Sequence, residues 1–161
     1  MAGGAGSVLL RVSTPEDFPQ LSQFNCARPG DKPALAAQQL IRRAPEMVSE
    51  GDLAAEIVVA ADGDIVIGVA VYGLETPTTP HATIYSLGVV LNRQRQGHGT
   101  ALKRAVMAEV AQRDGWPNVV ASEVHRTNFK MIGLNDKLNV RRTQDPSDGE
   151  YLLCAVAVEV D

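Results

Sequence analysis

Two glycines in a short basic turn are the residues of this sequence whose spacing points most directly to chemistry. The turn reads Gln94, Arg95, Gln96, Gly97, His98, Gly99 and Thr100. Glycine lets a backbone curl tightly and lets a ligand approach its N–H groups. If a helix begins here, its first turn leaves about four N–H donors unpaired, and its dipole favours negative charge. The turn therefore predicts an anion site with phosphate as the usual occupant, or else an ordinary strand-to-helix turn that uses glycine for geometry alone.

The segments on either side of this turn are expected to hold it in place. Residues 83–91 form a nearly continuous apolar run rich in β-branched side chains, which predicts a strand covered on both faces. After the turn, Leu102, Val106 and Val110 recur at intervals of four, as on the buried face of a helix. The opposite face of that helix is predicted to carry Lys103, Arg104, Glu109, Gln112 and Arg113, with Gly115 and Pro117 ending it.

The glycine turn matches neither of the two common nucleotide motifs. No Lys-Ser or Lys-Thr pair follows the glycines, and the three-glycine dinucleotide fingerprint is absent. Val89, Gln94, Gly97 and Gly99 instead resemble the cofactor motif of the GCN5-related N-acetyltransferases (the GNAT superfamily), a Gln/Arg-x-x-Gly-x-Gly/Ala pattern after a valine-rich strand. A second block at the expected distance, residues 123–140, is similar to that superfamily's Glu-Val-x-x-x-Asn-x-x-Ala-Ile-x-Leu-Tyr-x-Lys-Leu-Gly-Phe. The two blocks together are more specific than either alone.

The resemblance implies acetyl-coenzyme A as the acyl donor. Its pantetheine arm is expected to pair with strand backbone near Leu87, Gly88 and Val89, because relatives splay this strand from the next one. The pyrophosphate is expected on the turn and the helix start, that is on Gln94, Arg95, Gln96, Gly97, His98, Gly99 and Thr100. Asn128 matches an asparagine that contacts the coenzyme, although a simple helix cap is the alternative.

The catalytic groups are less fully specified by the resemblance. Glu123 aligns with an acid that removes the amine proton through water, or else it is a surface or ion-pairing residue, and His81 and His125 are reserve candidates. The tyrosine that commonly protonates the leaving thiolate aligns with Asn135, which has no ionisable proton but can hold a water or donate to sulfur. Tyr85, Tyr151 or water are alternative proton sources. The chain is therefore expected to be an N-acetyltransferase acting on an unidentified small or peptide amine, or a non-catalytic acyl-coenzyme A binding module.

Length and composition predict one ordinary α/β domain. The chain has 161 residues, 45% of them hydrophobic, and a net charge of −4, which gives no reason to expect nucleic-acid binding. No apolar run is long enough for a membrane span, and Cys26 and Cys154 match no metal-ligand spacing. We therefore expect no metal, and buried free thiols in the cytoplasm. Residues 1–7 are predicted to be a flexible tail and residues 8–161 a single acetyltransferase-like domain.

The order of elements also agrees with the resemblance. Alternating and apolar runs predict the order βααβββαβαββ, a mixed α/β sheet with helices on both faces. A first helix is expected from Thr14 to before Pro29. A second is expected over residues 33–43 that buries Leu35 and Leu40, is kinked or restarted at Pro45 and is closed by Gly51. Strands are expected over residues 55–61 and 65–75, and a dimer is frequent among relatives.

Overall fold

A seven-stranded mixed sheet runs through the part of the chain described by this computed structural model, residues 8–125, 128–138, 140–144 and 151–158. The strands are β1 (Val8–Val12), β2 (Ala55–Asp62), β3 (Ile65–Gly73), β4 (Ala82–Val89), β5 (Val119–His125), β6 (Arg141–Gln144) and β7 (Tyr151–Ala157). The helices are α1 (Phe18–Leu21), α2 (Lys32–Ser49), α3 (His98–Ala111) and α4 (Phe129–Lys137). The sheet order is β1-β2-β3-β4-β5-β7-β6, and the chain order βααβββαβαββ is the predicted one.

Strands β1 to β4 form a continuous antiparallel unit. The β2–β3 hairpin closes through Gly63, whose φ of 59° is the left-handed conformation that an Asp-Gly turn favours. Strand β3 then pairs with β4 from Gly68–Val89 to Gly73–Thr83. Strand β3 ends at Gly73 rather than at residue 75, because the chain turns there towards the two prolines of the connecting loop.

The first helix is shorter than predicted. A 3₁₀ turn, Pro15–Asp17, leads into the four-residue α1, and the chain then tightens through i-to-i+3 bonds from Gln23 and Phe24 N–H. Asp17 holds the entry: its carboxylate accepts from Thr14 N–H at 2.8 Å and from both terminal nitrogens of Arg11 at 2.7 and 2.8 Å. The short α1 still buries Leu21, so the hydrophobic pattern was read correctly although the helix length was not.

Helix α2 runs through Pro45 without a restart. Pro45 and Ala44 are both buried, so the proline packs into the interior while the helix continues to Ser49. Ile41 is fully buried, whereas Leu35 and Leu40 are only partly buried, and Leu40 borders the cleft described below. Gln38 Oε1 accepts from the N–H groups of Cys26 and Ala27 at 2.9 and 3.1 Å, which fastens the α1–α2 connection to the helix.

The helices cover opposite faces of the sheet, as predicted. Leu21, Phe24 and Ile41 pack with Val59, Val69 and Val71 on one face. On the other face the predicted stripe of α3, Leu102, Val106 and Val110, is fully buried with Ile84 and Val120. Gly68 leaves room for this helix, since a Cβ there would lie 2.7 Å from Leu102 Cδ1.

The remaining strands close the sheet on the other side of β4. Strand β5 pairs antiparallel with β7 along its whole length, and β7 pairs with β6. The predicted N-terminal tail, residues 1–7, lies outside the described residues, as does the predicted turn at residues 145–149. Among the described helices, none is both long and apolar enough to cross a membrane.

Candidate active site

The sheet opens between its two central strands. Strands β4 and β5 run parallel, but they pair at only two positions, Ala82 with Val120 and Thr83 with Ala121. Beyond Thr83 the strands diverge, so the edge of β4 that faces β5 is left without a strand partner from Ile84 to Val89. This is the splay that the resemblance predicted, and it leaves backbone donors and acceptors available to a ligand.

A cleft of about 540 Å³ occupies the opening. Its walls come from five elements, so a ligand inside it would contact both halves of the sheet and helices from both faces. The lining residues are Lys32, Pro33, Ala36, Ala37 and Leu40 from α2, Ile84 to Leu87 from β4, Lys103 from α3, Ser122, Glu123 and Val124 from β5, and Asn128 and Met131 at α4.

Strand β4 is shaped by a bulge at Tyr85. The pairing of β3 with β4 skips this residue, because Val71 pairs with Ser86 while Tyr72 pairs with Ile84. Bulges of this kind redirect side chains and are frequent beside active sites. Burial raises the pKa of Tyr85 above its ordinary value, so its hydroxyl stays protonated at neutral pH. The residue lines the cleft, as its proposed reserve role as a proton source requires.

The predicted pantetheine-binding stretch lies where the cleft and the helices meet. Leu87 and Val89 face α3, since a Cβ on Gly99 would lie 3.7 and 3.9 Å from their side chains. Gly88 faces the other way, and a Cβ there would lie 2.9 Å from Cys26 Sγ and 3.1 Å from Ile41 Cδ1. Glycine is therefore required at residue 88 by packing, whatever its backbone binds. The pKa of the buried Cys26 thiol is raised to about 11 by desolvation, so Cys26 is an inert core residue.

The glycine turn is open to solvent and bent into a left-handed shape. Gly97 is the N-cap of α3 with a φ of 85°, and Arg95 has a φ of 64°. Arg95, Gln96 and Gly97 are exposed. The first bond at the head of the helix runs from Ala101 N–H to Gly97 O at 3.0 Å, so the N–H groups of His98, Gly99 and Thr100 precede it. In the described part of the chain no side chain caps this end, so these donors are available to an anion.

Gly97 and Gly99 are needed for different reasons. Nothing lies within 4 Å of a Cβ built on Gly97, so its requirement is the left-handed conformation and the open approach to its backbone. Gly99 has an ordinary conformation, but a Cβ there would lie 3.0 Å from Leu134 Cδ1. The second glycine therefore lets α4 pack closely against the head of α3.

Several polar residues of the turn are engaged within the protein. Gln94 Nε2 donates to Val89 O at 2.8 Å and to Cys26 O at 3.0 Å, and its Oε1 accepts from Lys130 at 3.2 Å. Gln94 was predicted to bind the coenzyme, and its side chain here ties the turn to β4 and to the α1–α2 connection. Arg93 forms an ion pair with Asp62 at 3.0 Å. His98 Nε2 lies 3.3 Å from Gln96 Oε1.

Asn128 and Glu123 both border the cleft. Asn128 is the N-cap of α4, and its Oδ1 accepts from Met131 N–H at 3.2 Å, which is the capping role that the sequence left open. Glu123 lies on β5 and is exposed, although the argument for it as a base required burial. Its carboxylate therefore reaches both solvent and cleft, an arrangement suited to a proton path through water.

Lys103 is buried, although it was predicted to lie on the polar face of α3. Lys103 was assigned to the polar face of α3, but it is only 1% exposed, and its Nζ donates to Oδ1 of the fully buried Asn135 on α4. Desolvation lowers the pKa of Lys103 to about 8, with Cys154 acting in the opposite direction. The sequence signal for this burial was the position of Lys103 next to Leu102, at the margin of the buried stripe. At that margin the packing of α4 decides whether the side chain of Lys103 is exposed.

The reserve candidates are scattered. His81 precedes β4, and its Nδ1 lies 3.4 Å from Thr83 Oγ1. His125 and Tyr151 lie on β5 and β7, and their side chains are outside the described part of the structure. Within the described residues, no group of three His, Cys, Asp or Glu side chains is arranged to hold a metal ion.

Comparison with known proteins agrees with this geometry. No curated protein matched the sequence. Among solved structures, an N-acetyltransferase from Staphylococcus aureus Mu50 superposes with a TM-score of 0.71 at 17% identity, covering 94% of this chain and 99% of the other. The ribosomal-protein-S18-alanine N-acetyltransferase from Escherichia coli gives 0.65 at 16% identity, covering 96% of each chain. RimL, a ribosomal L7/L12 alpha-N-protein acetyltransferase in complex with coenzyme A, gives 0.67 at 15% identity, covering 98% and 97%.

At these identities the structural matches establish the fold alone. The sequence pattern described as "Acetyltransferase (GNAT) family" matches residues 22–139, which include α2, the splayed strands, the glycine turn and α4. That range is most of the chain and contains the first sequence block and all of the second except Val140. The chain therefore belongs to the acetyltransferase (GNAT) family.

Proposed function

We propose that this protein transfers an acetyl group from acetyl-coenzyme A to a primary amine. The observation that carries the proposal is the opening between β4 and β5, which leads from a cleft of about 540 Å³ to the uncapped start of α3. One end of this path offers unpaired N–H donors to a diphosphate. The other offers a free strand edge to a chain that contains amide groups, and these are the two chemically distinct parts of coenzyme A.

The donor is held in two ways. The pyrophosphate binds the N–H groups from Arg95 to Thr100, where the helix dipole and the exposed Arg95 favour negative charge. The pantetheine amides pair with the free edge of β4 at Leu87, Gly88 and Val89, a stretch continuous with Ile84 that spans about 17 Å at 3.4 Å per residue. Asn128 caps α4 and presents its remaining amide hydrogens to the ligand in the cleft.

The amine enters from the side of α2. Lys32, Pro33, Ala36, Ala37 and Leu40 form that wall, and it is mostly apolar apart from Lys32. A neutral amine attacks the thioester carbonyl, and Glu123 receives the amine proton through water at the open rim. We assign the reaction to the cytoplasm, where the two free cysteines, Cys26 and Cys154, remain reduced.

Thiol release tests the reaction. The protein is incubated with acetyl-coenzyme A and a panel of small amines and peptides, and free thiol is measured with and without each amine. Amine-dependent release is expected, and Glu123→Gln should reduce kcat by about 100-fold, the size of a lost general base. Glu50→Gln, an exposed glutamate at the end of α2, is the matched control and should keep full activity.

A non-catalytic acyl-coenzyme A binding module is the second candidate. It is favoured by Asn135, which aligns with the usual acid tyrosine and whose amide cannot donate a proton to a thiolate. Tight binding of acetyl-coenzyme A with no amine-dependent release across the panel would select this function. Equal activity of the Glu123→Gln variant with the best amine would instead remove Glu123 from the mechanism.

Gly97→Glu tests the coenzyme site separately from the chemistry. The new carboxylate would stand at the helix start in the place of phosphate, so coenzyme A should bind at least about 100-fold more weakly by calorimetry. Gly115→Glu is a close control, because Gly115 also has a left-handed φ, 79°, with nothing within 4 Å of its Cβ, but lies beyond the other end of α3. Equal binding by both variants would contradict the assignment.

A further inference from the structure

Lys103 is a buried cation with an unusual environment. It lies on α3 one helical turn after Gly99 and is only 1% exposed, yet it borders the cleft. Its hydrogen-bond acceptor is the neutral amide oxygen of Asn135 rather than a carboxylate. A buried ammonium is usually paired with an opposite charge, since removing it from water is costly. An apolar side chain would fit this helix position at less cost, so the lysine requires an explanation beyond folding.

Asn135 supplies a second observation at the same point. Its Nδ2 is buried without a hydrogen-bond partner among the described residues, while its Oδ1 is used by Lys103. Buried donors are nearly always satisfied in folded proteins, and one that is not indicates a missing acceptor. A buried ammonium and a buried N–H donor therefore lie side by side next to the cleft, and both would be satisfied by an atom carrying negative charge.

Two other charged side chains that line the cleft lie at its exposed margins. Glu123 on β5 is exposed at the rim, and Lys32 on α2 is also exposed on the opposite wall. Cys154 on β7 is buried and acts on the pKa of Lys103. An anionic atom of a ligand in the cleft would satisfy Asn135 Nδ2 and interact favourably with the Lys103 ammonium.

We propose that Lys103, positioned by Asn135, is the proton donor to the thiolate that leaves coenzyme A. The inference rests on the proposed function. The amine nitrogen bonds to the thioester carbon, the carbon–sulfur bond breaks with its electron pair on sulfur, and Lys103 transfers one proton to that sulfur. The proton lost by the amine leaves through water at Glu123, and Lys103 regains a proton from solvent. The products are an N-acetyl amide and the free thiol of the coenzyme.

The acidity of the two groups is well matched. With a pKa of about 8, Lys103 is mostly protonated at neutral pH. This pKa is close to that of an alkyl thiol, about 8.5. A proton donor whose pKa is near that of the leaving group transfers its proton with little free-energy cost. Before transfer, the charge of the ammonium stabilises the thiolate as it forms.

The test measures the thiol of bound coenzyme A and needs no acceptor. Coenzyme A is bound to the protein, and thiolate formation is followed by ultraviolet absorbance against pH, with free coenzyme A in parallel. A cation within 4–6 Å should lower the pKa of the bound thiol by about one unit or more. In Lys103→Met the pKa of the bound thiol should return to within about 0.3 units of the free value or rise above it, since burial alone raises it.

The matched control is Arg104→Met, which removes an exposed cation from the next position of α3 and should leave the shift unchanged. Lys103→Met should also lower kcat about 100-fold with the best amine, with little change in the KM for acetyl-coenzyme A. If Lys103→Met fails to fold, Lys103→Gln keeps a donor for Asn135 without the charge, and the shift in the wild-type protein alone can still refute the inference.

Three outcomes would overturn the inference. A bound thiol that titrates like the free one in the wild-type protein removes the role of Lys103 and leaves the proposed function standing. Failure of the wild-type protein to bind coenzyme A overturns the proposed function and this inference with it. A preference of at least tenfold for succinyl- over acetyl-coenzyme A that disappears in Lys103→Met would show that the lysine binds an acyl carboxylate instead.

Discussion

Two polar pairs in this molecule, one partly buried and one fully buried, are built in opposite ways. Arg11 and Asp17 form a bidentate ion pair at 2.7 and 2.8 Å. The Asp17 carboxylate also accepts a hydrogen bond from Thr14 N–H. Lys103 instead donates to the neutral amide oxygen of Asn135, whose Nδ2 has no hydrogen-bond partner among the described residues. The first pair is complete without a ligand, whereas the second is incomplete. A polar pair whose hydrogen-bonding groups all have partners within the protein serves stability, whereas a pair that leaves a group without one is available for chemistry.

The largest effect expected from this comparison is at Asp17. Asp17→Ala removes the partner of Arg11 and the contact to Thr14 N–H, so the free energy of unfolding should fall by about 2–3 kcal/mol. Coenzyme A affinity should not change, because the pair is remote from the cleft. Urea unfolding and calorimetry on the same variant measure both, and a loss of affinity larger than threefold would mean that this pair also serves the site.

A smaller effect, of opposite character, is expected at Lys103. Its folded pKa of about 8 is below the unfolded value of about 10.4. Between these values the unfolded chain binds more protons at Lys103 than the folded chain does. The free energy of unfolding should therefore rise with pH by about 2 kcal/mol because of this residue. Urea unfolding of the wild-type protein at pH 7 and pH 10 should show this gain relative to Lys103→Met, which lacks the group.

The pH range of the Lys103 effect separates the two pairs, since the free energy of unfolding rises with pH in both cases. Hydrogen bonds from Arg11 lower the pKa of Asp17, so its contribution is present above the unfolded value and is lost as pH falls through the lower folded one. Asp17 therefore acts at the acid end and Lys103 at the alkaline end. Identical pH dependence in the wild-type protein and Lys103→Met would mean that the lysine is not desolvated in solution.

The sequence predicted those features that local patterns encode. The glycine turn, the stripe of Leu102, Val106 and Val110, and the hairpin at Gly63 each depend on residues close together in the chain. The alternative that α2 restarts at Pro45 was wrong, because a proline that packs into the interior can be accommodated when tertiary contacts hold both halves of the helix.

The candidate site was predicted less completely than the fold. The burial of Lys103 depends on where α4 packs, and Asn135 lies 32 residues away along the chain, so no periodicity reveals the pair. The roles of Gln94 and Asn128 as internal hydrogen-bonding residues were also invisible or ambiguous, since the same amide can bind backbone or ligand. The splay itself was predicted only from the resemblance.

The two residue pairs that join β4 to β5 have a mechanical consequence for the whole molecule. Strands β1–β4 form one hydrogen-bonded half of the sheet, and strands β5–β7 form the other. The two halves are paired at one end of β4 and β5 only. An extended ligand bound along the unpaired edge of β4 would act as an eighth strand and link the two halves of the sheet. Binding of a ligand in the cleft would then also make the sheet more rigid.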